Sequence, residues 1–468
     1  MGTNALPTAT GGISGRSSNW GTTRSDLDGV PFAALAEEVP AITNDSLRFL
    51  AGGEIEVSWR LRDGLKWSDG KPLTATDVEF ALAVSPDPRI KEVRVAGPRD
   101  ITIRFNDRVA KAMETIVPLP KHALEDVFKK GGYEAVREYR RTNVLPASGP
   151  YRVVEFVAED HTFLEPNPAF AGPPPSIKRI EIKKYANDAA LVAAFEAKEI
   201  DMIAPNAISP EAAAALAKKL PKAVTVRPSE LLMFLHPDME NPLLAKQEVR
   251  KALLTAFDRA RMAKEVFGEG AKVATIPVTG DVPKGAEVTA YDAEAAKTAL
   301  EKAGAAGATI PLFHGDKPVD KAMAAELVRD ALAVGITLQP KEDPKISDLY
   351  RKRKHGGLLL TQTTGERDSE PEKYWAVIQK DGRYDRAFRS PAFDDDMLAL
   401  VKREERALYP ERREQIRDML FVEVTKRLPL LPLVFLTDVI VADPSLDGWQ
   451  AGSGVNFGTT TERWYFRE

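Results

Sequence analysis

Cysteine is absent from all 468 residues. Its absence excludes disulfides, thiolate metal ligands and a cysteine nucleophile, and does not by itself decide the compartment. Histidine is scarce. His122, His161, His236, His314 and His355 are the five, and no pair has the spacing of a zinc motif such as HExxH. No apolar run approaches the ~18 residues that a membrane helix needs. The longest, Leu428 to Leu436, is broken by Pro429 and Pro432 and reads as a buried strand. Neither charge sign is in large excess. There are 65 basic and 69 acidic residues, a net charge of -4, which argues against a nucleic-acid surface. The one dense basic block, Arg351-Lys352-Arg353-Lys354-His355, reads as a solvated loop or helix end. The N-terminus, Met1-Gly2-Thr3-Asn4, has neither a basic n-region nor an apolar h-region, so no signal peptide is expected in this chain.

Catalytic signatures are missing too. There is no GxSxG elbow, no Walker A loop and no GxGxxG after a strand. Gly11-Gly12-Ile13-Ser14-Gly15 precedes no clear helix. Asp394-Asp395-Asp396 reads as the acidic first turn of a helix, favoured by the macrodipole. No carboxylate pair stands out for acid–base work. The expectation is therefore a protein that is not an enzyme and uses neither cofactor nor metal.

What is present is α/β patterning. Ile55, Val57, Trp59 and Leu61 alternate with polar residues, the period of a half-buried strand. Asp63-Gly64 and Asp69-Gly70 mark turns. Thr74, three residues before Asp77, resembles a capping box ahead of Val78, Phe80 and Leu82. Tyr151 to Val157 and His161 to Glu165 predict a hairpin. Helices are expected over Ala189 to Ala197, from Ser209-Pro210-Glu211 up to Pro221, and over Gln247 to Phe257. Others follow over Ala293 to Ala303 (stopped by Gly304), Lys317 to Val334 (stopped by Gly335), Phe393 to Leu408 and Glu411 to Arg427. Val224 to Leu235 and Leu431 to Val441 read as extended. Repeated helix and short strand indicate α/β organisation, and the length suggests two or three domains. No long linker separates them, so the domains are expected to interleave. Thr8 to Ser18, rich in Gly, Ser and Thr, should be loosely packed, and Trp20 just after it reads as a packing anchor or a ligand contact.

Residues 59 to 80 carry a specific resemblance. Trp59-Arg60-Leu61-Arg62-Asp63-Gly64-Leu65-Lys66-Trp67-Ser68-Asp69-Gly70-Lys71-Pro72-Leu73-Thr74-Ala75-Thr76-Asp77-Val78-Glu79-Phe80 resembles the signature of the family 5 bacterial solute-binding proteins, the oligopeptide-, dipeptide- and nickel-binding group of ABC transporters. Ala34-Leu35-Ala36-Glu37, Pro120-Lys121-His122, Ser148-Gly149-Pro150-Tyr151 and Leu428-Pro429-Leu430-Leu431-Pro432-Leu433 are similar to further elements of that family. So is Val249-Arg250-Lys251-Ala252 with Phe257-Asp258-Arg259. Most of these residues are expected to maintain the fold, with Arg250 and Arg259 pairing with carboxylates or helix ends.

The resemblance implies a type II periplasmic-binding-protein fold: two α/β lobes with a hinge and an interlobe cleft. Lobe one would take residues 1–228 with 431–468 returning to it, and lobe two residues 229–430. The two extended segments would be the hinge crossings. The implied function is capture of a small ligand, most of all a peptide, for an ABC importer, in the periplasm or on the cell surface, with permease subunits in the membrane as partners. The receptor would be a monomer that binds no nucleic acid. Oligosaccharide or metal-chelate binding is the alternative inside the family. A hydrolase or a scaffold that lost its ligand are alternatives of another class. The ligand residues implied are Asn19, Trp20, Phe234, His236, Thr363, Arg367, Asp368 and Trp375. Asp368 matches a family aspartate that can pair with a peptide's terminal amine, although the family's preceding Trp is missing here and the spacing to Pro371 is one residue shorter.

Overall fold

Two glycines stop helices as the sequence pattern predicts. Gly304 and Gly335 take φ of 69° and 81°, one residue past the C-caps Ala303 and Val334. This is the left-handed conformation that only glycine adopts without strain. The structure, a computed structural model, describes residues 18–25, 31–106, 115–158, 160–205, 207–268, 270–346, 349–350, 355–364, 395–407, 409–449 and 461–467. The chain forms two compact units.

The N-terminal unit draws on Thr3–Ile203, Glu405–Leu408 and Ala442–Glu468. Its described strands are β1 (Thr23–Ser25), β2 (Pro31–Ala33), β3 (Leu47–Phe49), β4 (Ile55–Arg60), β5 (Ile90–Val95), β6 (Asp100–Phe105), β7 (Tyr151–Val157), β8 (His161–Pro166), β9 (Ile180–Lys183) and β10 (Met202–Ile203). Helices α1 (Ala75–Val84), α2 (Lys121–Thr142) and α3 (Asp188–Glu196) lie among them. One sheet runs β3-β4-β6-β5 and a second runs β7-β8-β9. The alternation in β4 does what it predicts. Ile55, Val57 and Trp59 are buried, and with Leu61 and Trp67 they join one core.

The signature stretch is held by one buried carboxylate. Asp77 accepts from the Thr74 backbone N–H at 2.9 Å, from the Lys121 backbone N–H at 2.9 Å and from Trp67 Nε1 at 3.4 Å. It thus ties the N-terminus of α1, the start of α2 and the buried indole together. A buried carboxylate needs such donors, and each charged hydrogen bond contributes roughly 1.5–3 kcal/mol. Of the expected capping box, the Asp77 carboxylate reaches back to the Thr74 N–H, while the Asp77 N–H bonds the Thr74 carbonyl and not its hydroxyl. Helix α2 was not predicted: its Gly131-Gly132 pair, non-helical inside the helix, interrupts the apolar period.

The central unit takes Ala204–Glu404 and Tyr409–Val441. Helices α4 (Pro210–Lys219), α5 (Gln247–Ala256), α6 (Arg259–Phe267), α7 (Ala293–Lys302), α8 (Pro318–Ala333), α9 (Asp395–Glu405) and α10 (Pro410–Arg427) surround a sheet. Its strands are β11 (Val224–Pro237), β12 (Lys272–Val273), β13 (Thr309–His314), β14 (Thr337–Glu342), β15 (Leu358–Thr364) and β16 (Leu431–Ala442), in the order β16-β11-β15-β13-β14 with β12 on β16. β17 (Leu446–Asp447) and β18 (Tyr465–Phe466) pair in the N-terminal unit. The two segments expected as crossings, β11 and β16, are antiparallel neighbours, Val224 opposite Val441 and Leu235 opposite Leu431. β13 is parallel to both β14 and β15. The main core packs α5 to α8 on one face of this sheet, through Met233, Leu235, Leu253, Leu312, Leu327 and Leu360 among others.

Two buried arginines lock this unit. Arg250, 1% exposed, donates to the carbonyls of Leu244, Ala245, Arg427 and Leu428 at 2.6 to 2.9 Å. It thereby caps the C-terminus of α10, whose C-cap Leu428 sits at φ 48° without a glycine. Arg259 donates to the carbonyls of Ala274, Pro432 and Thr289. Of the two partner types expected, Arg250 found a helix end; Arg259 found strand and loop carbonyls instead of a carboxylate. Burial pulls both guanidiniums down to about 10, still charged at neutral pH.

Candidate functional site

The period of two along β11 sorts its residues onto two faces. Met233 and Leu235 enter the main core, whereas Leu232, Phe234 and His236 point to the other face. Across β15, Thr363 stands opposite Leu232, Thr361 opposite Phe234 and Leu359 opposite His236. Facing residues of an antiparallel pair share a face, so three expected ligand residues, Phe234, His236 and Thr363, come together on one side of the sheet. A smaller apolar cluster of Leu232, Phe234, Ala274, Leu430 and Phe435, with Tyr350 against it, covers part of that side.

Aromatic edges organise this face. The Tyr350 ring meets Phe234 at 6.3 Å and 82° and His236 at 5.5 Å and 85°. His355 lies 5.9 Å from His236 and 5.8 Å from Phe313. Such edge-to-face pairs contribute roughly 0.5–1.5 kcal/mol each beyond their burial. Asp238 fixes the loop that carries His355, accepting from the backbone N–H of His355 at 2.8 Å and of Gly356 at 2.7 Å. Phe234 and His236 are almost fully buried, while Thr363, Tyr350 and His355 are half-buried. The arrangement offers hydroxyls, imidazoles and ring faces together, which suits a ligand with both amides and apolar groups. Sequence reasoning missed Tyr350 and His355. In the sequence His355 belongs to the basic block, and only its place before Gly356-Gly357 hints at a turn that returns to the sheet.

Asn19 and Trp20 belong to the N-terminal unit. The Trp20 backbone N–H donates to Ser148 Oγ at 2.9 Å, and Ser148 Oγ donates back to the Trp20 carbonyl at 3.1 Å. The Trp20 ring meets Phe170 edge-on at 4.7 Å and 89°, and the Arg24 guanidinium sits 4.4 Å above it. Arg24 pairs with Glu462 at 3.3 Å; burial pulls its pKa down and Glu462 opposes that pull. Asn19 Nδ2 donates to Ser18 Oγ at 3.2 Å. Trp20 is thus an anchor of the Ser148-Gly149-Pro150-Tyr151 turn. Arg367, Asp368 and Trp375 lie outside the described residues, as do Arg351 to Lys354, Asp394 and the glycine-rich stretch Gly11 to Gly15.

Among the described residues no group of three or more His, Asp or Glu side chains is placed to hold a metal ion. No described helix is long and apolar enough to cross a membrane.

The fold is that of bacterial solute receptors. The oligopeptide-binding protein AppA from Bacillus subtilis, solved in complex with a nonapeptide, superposes with a TM-score of 0.78 at 18% identity, covering 98% of this chain and 96% of that one. NikZ from Campylobacter jejuni, in complex with Ni(L-His), gives 0.79 at 18% identity, over 98% and 97%. The chain belongs to the bacterial extracellular solute-binding proteins, family 5 (the family model described as "family 5 Middle"), which matches residues 53–385. The periplasmic oligopeptide-binding protein OppA of Escherichia coli (strain K12) is 22% identical over 485 residues, 91% of this chain and 83% of that protein. The chain spans about half the length of the first curated relatives it matches, from Brucella species, which are 24% identical over 272 residues and covered to 49%.

Proposed function

We propose that this protein is the extracytoplasmic substrate-binding component of an ABC importer and that it captures a short peptide in extended form. The observation that carries the reading is the family match over residues 53–385 together with a fold shared with a nonapeptide-bound receptor. We assign ligand contact to Phe234, His236 and Thr363, supported by their common sheet face beside Tyr350 and His355. Backbone groups near that face would bond the peptide's amides, and the rings would accept varied side chains. Asn19, Trp20, Arg367, Asp368 and Trp375 complete the proposed contact set. The lobe division expected above, residues 1–228 with 431–468 against 229–430, is part of this proposal, and so is a monomeric receptor delivering to a membrane permease and binding no nucleic acid. The compact units that support two lobes change over after Ile203 and after Val441.

A second reading, a metal chelate as ligand, is favoured by the closeness of His236 and His355 and by the likeness to a nickel–histidine complex. Native mass spectrometry of the purified protein against its denatured mass separates the two. A spread of extra masses resolving into short peptides supports the first reading. One discrete mass matching a metal chelate supports the second. A bare protein that stays bare after incubation with a peptide mixture and with nickel–histidine refutes both.

A further inference from the structure

At the carboxyl ends of β13 and β15 the central unit holds a buried carboxylate that forms no ion pair among the described residues. β13 ends at His314, and Gly315, Asp316 and Lys317 lead into α8, whose first turn contains Asp320. β15 runs parallel beside it, Phe313 opposite Leu359, which brings Gln362 to the same edge. Asp320 is only 9% exposed. Its one side-chain hydrogen bond among the described residues comes from Gln362 Nε2 to Oδ1, long at 3.3 Å. Oδ2 lies over the Cα of Gly315, where a Cβ would stand. No Lys, Arg or His of the described residues forms an ion pair with it.

A carboxylate in the first turn of a helix is ordinarily explained by the macrodipole or by capping. Neither accounts for this one. The N-cap Lys317 makes no side-chain cap, Asp320 accepts from no backbone N–H of the described residues, and an exposed position would serve the dipole without the cost of burial. Burying a charge costs several kcal/mol unless it is paired. Lys317 is exposed and forms no ion pair with Asp320 among the described residues, while buried His314 spends Nδ1–H on the Gly315 carbonyl at 2.8 Å. Burial accordingly raises the Asp320 pKa, with Lys317, Gln362 and His314 opposing and Asp316 adding. Parallel strands of an open α/β sheet present ligand sites at their carboxyl ends, and that is where this half-satisfied group sits.

We infer that Asp320, oriented by Gln362 and Gly315, is a subsite for a cationic side group of the ligand, an alkylammonium or a guanidinium. This rests on the solute-binding reading and narrows its ligand class. It differs from the contact expected at Asp368 in the ligand group it takes, a side-group cation in place of the terminal amine. A bound cation supplies the missing counter-charge and bonds the free Oδ2, in the charge-assisted geometry that carboxylates form with ammonium and guanidinium.

The test compares wild type, Asp320→Asn and Gly315→Ala. Calorimetric titration uses Ala-Lys-Ala and Ala-norleucine-Ala, which share length and terminal amine and differ only in the side-chain charge. Thermal unfolding with agmatine provides a cation that is no peptide. We expect wild type to bind the lysine peptide at least about tenfold tighter and to be stabilised by agmatine. Asp320→Asn should erase both effects. Gly315→Ala, which crowds Oδ2 and leaves the charge, should erase them as well. Equal binding of the two peptides by wild type, or a preference surviving in Asp320→Asn, overturns the subsite while peptide binding stands. An agmatine effect confined to wild type, with neither peptide bound, upholds the subsite and refutes peptide capture. No response to any probe refutes both.

Discussion

Replacing Arg250 by methionine tests how the central unit is locked. The side chain is buried at 1% exposure, so an unbranched apolar residue keeps most of its volume. Four carbonyls lose their donor: Leu244, Ala245, Arg427 and Leu428. The last two belong to the C-terminus of α10, where no glycine and no Schellman geometry substitutes, so they become buried acceptors without partners. Each such loss costs roughly 1–3 kcal/mol, and hydrogen bonds from a charged donor contribute about 1.5–3 kcal/mol. Against this, the variant no longer buries a charge, which returns several kcal/mol. The net expectation is a loss of about 3–5 kcal/mol. For a unit of this size that corresponds to a fall in Tm of roughly 6–20 °C. Urea unfolding followed by far-UV circular dichroism reads it, with the m-value unchanged. Arg250→Lys should recover part of the loss, because a point charge cannot span four carbonyls that a planar fork reaches. The reasoning fails if Arg250→Met loses under about 1 kcal/mol, or if Arg250→Lys equals wild type.

Asp77→Ala removes the acceptor shared by Thr74, Lys121 and Trp67, and is expected to cost about 2–4 kcal/mol in urea unfolding; Asp77→Asn, which keeps one oxygen, should cost less. Phe234→Ala empties a 2% exposed site and should cost about 3–5 kcal/mol, with Tyr350 fluorescence changing as its neighbour ring is lost. Trp20→Phe should keep the edge contact with Phe170 and leave stability within about 1 kcal/mol, whereas Trp20→Ala should lower it by about 2–3 kcal/mol; equal stability of the two would refute the anchor role. For Asp320 the sign follows from its raised pKa: the folded value lies above the unfolded ~3.9, so the ionised form penalises the fold at neutral pH, and the penalty vanishes as pH falls through the folded value toward the unfolded one. Asp320→Asn should therefore be more stable than wild type at pH 7 and equal to it near pH 3.5, provided no ligand is bound; a gain that persists at pH 3.5 would contradict that origin.

The sequence was most legible where local chemistry and fold agree. The carboxylate arm of the capping box at Thr74 and Asp77, the glycine stops at Gly304 and Gly335, and the alternation in β4 each require particular residue types at fixed spacing, and the structure holds all of them. What stayed hidden is long-range. Arg250 was read as having a helix end or a carboxylate for partner, but that the end is α10, some 178 residues away, has no local signature. Tyr350 and His355 gain their position only because β11 and β15 become neighbours. Helix α2 escaped because Gly131 and Gly132 break its pattern.

The same distinction separates the residues that name the family from those that choose the ligand. Asp77, Arg250 and Arg259 are buried and spend three or more hydrogen bonds each on groups of their own unit. Residues bonded in this way hold the fold together, and a fold of this kind accommodates very different cargo, from a nonapeptide to a nickel–histidine complex. Asp320 is the opposite case: a buried carboxyl held, among the described residues, by one long amide bond. A folded chain retains an unbalanced group of that kind at a cost, and the cost is recovered when something of opposite charge arrives. Under the proposed solute-binding reading, specificity is therefore to be sought among incompletely bonded groups such as Asp320, and not in the signature motif, whose buried carboxylate is bonded to its own unit.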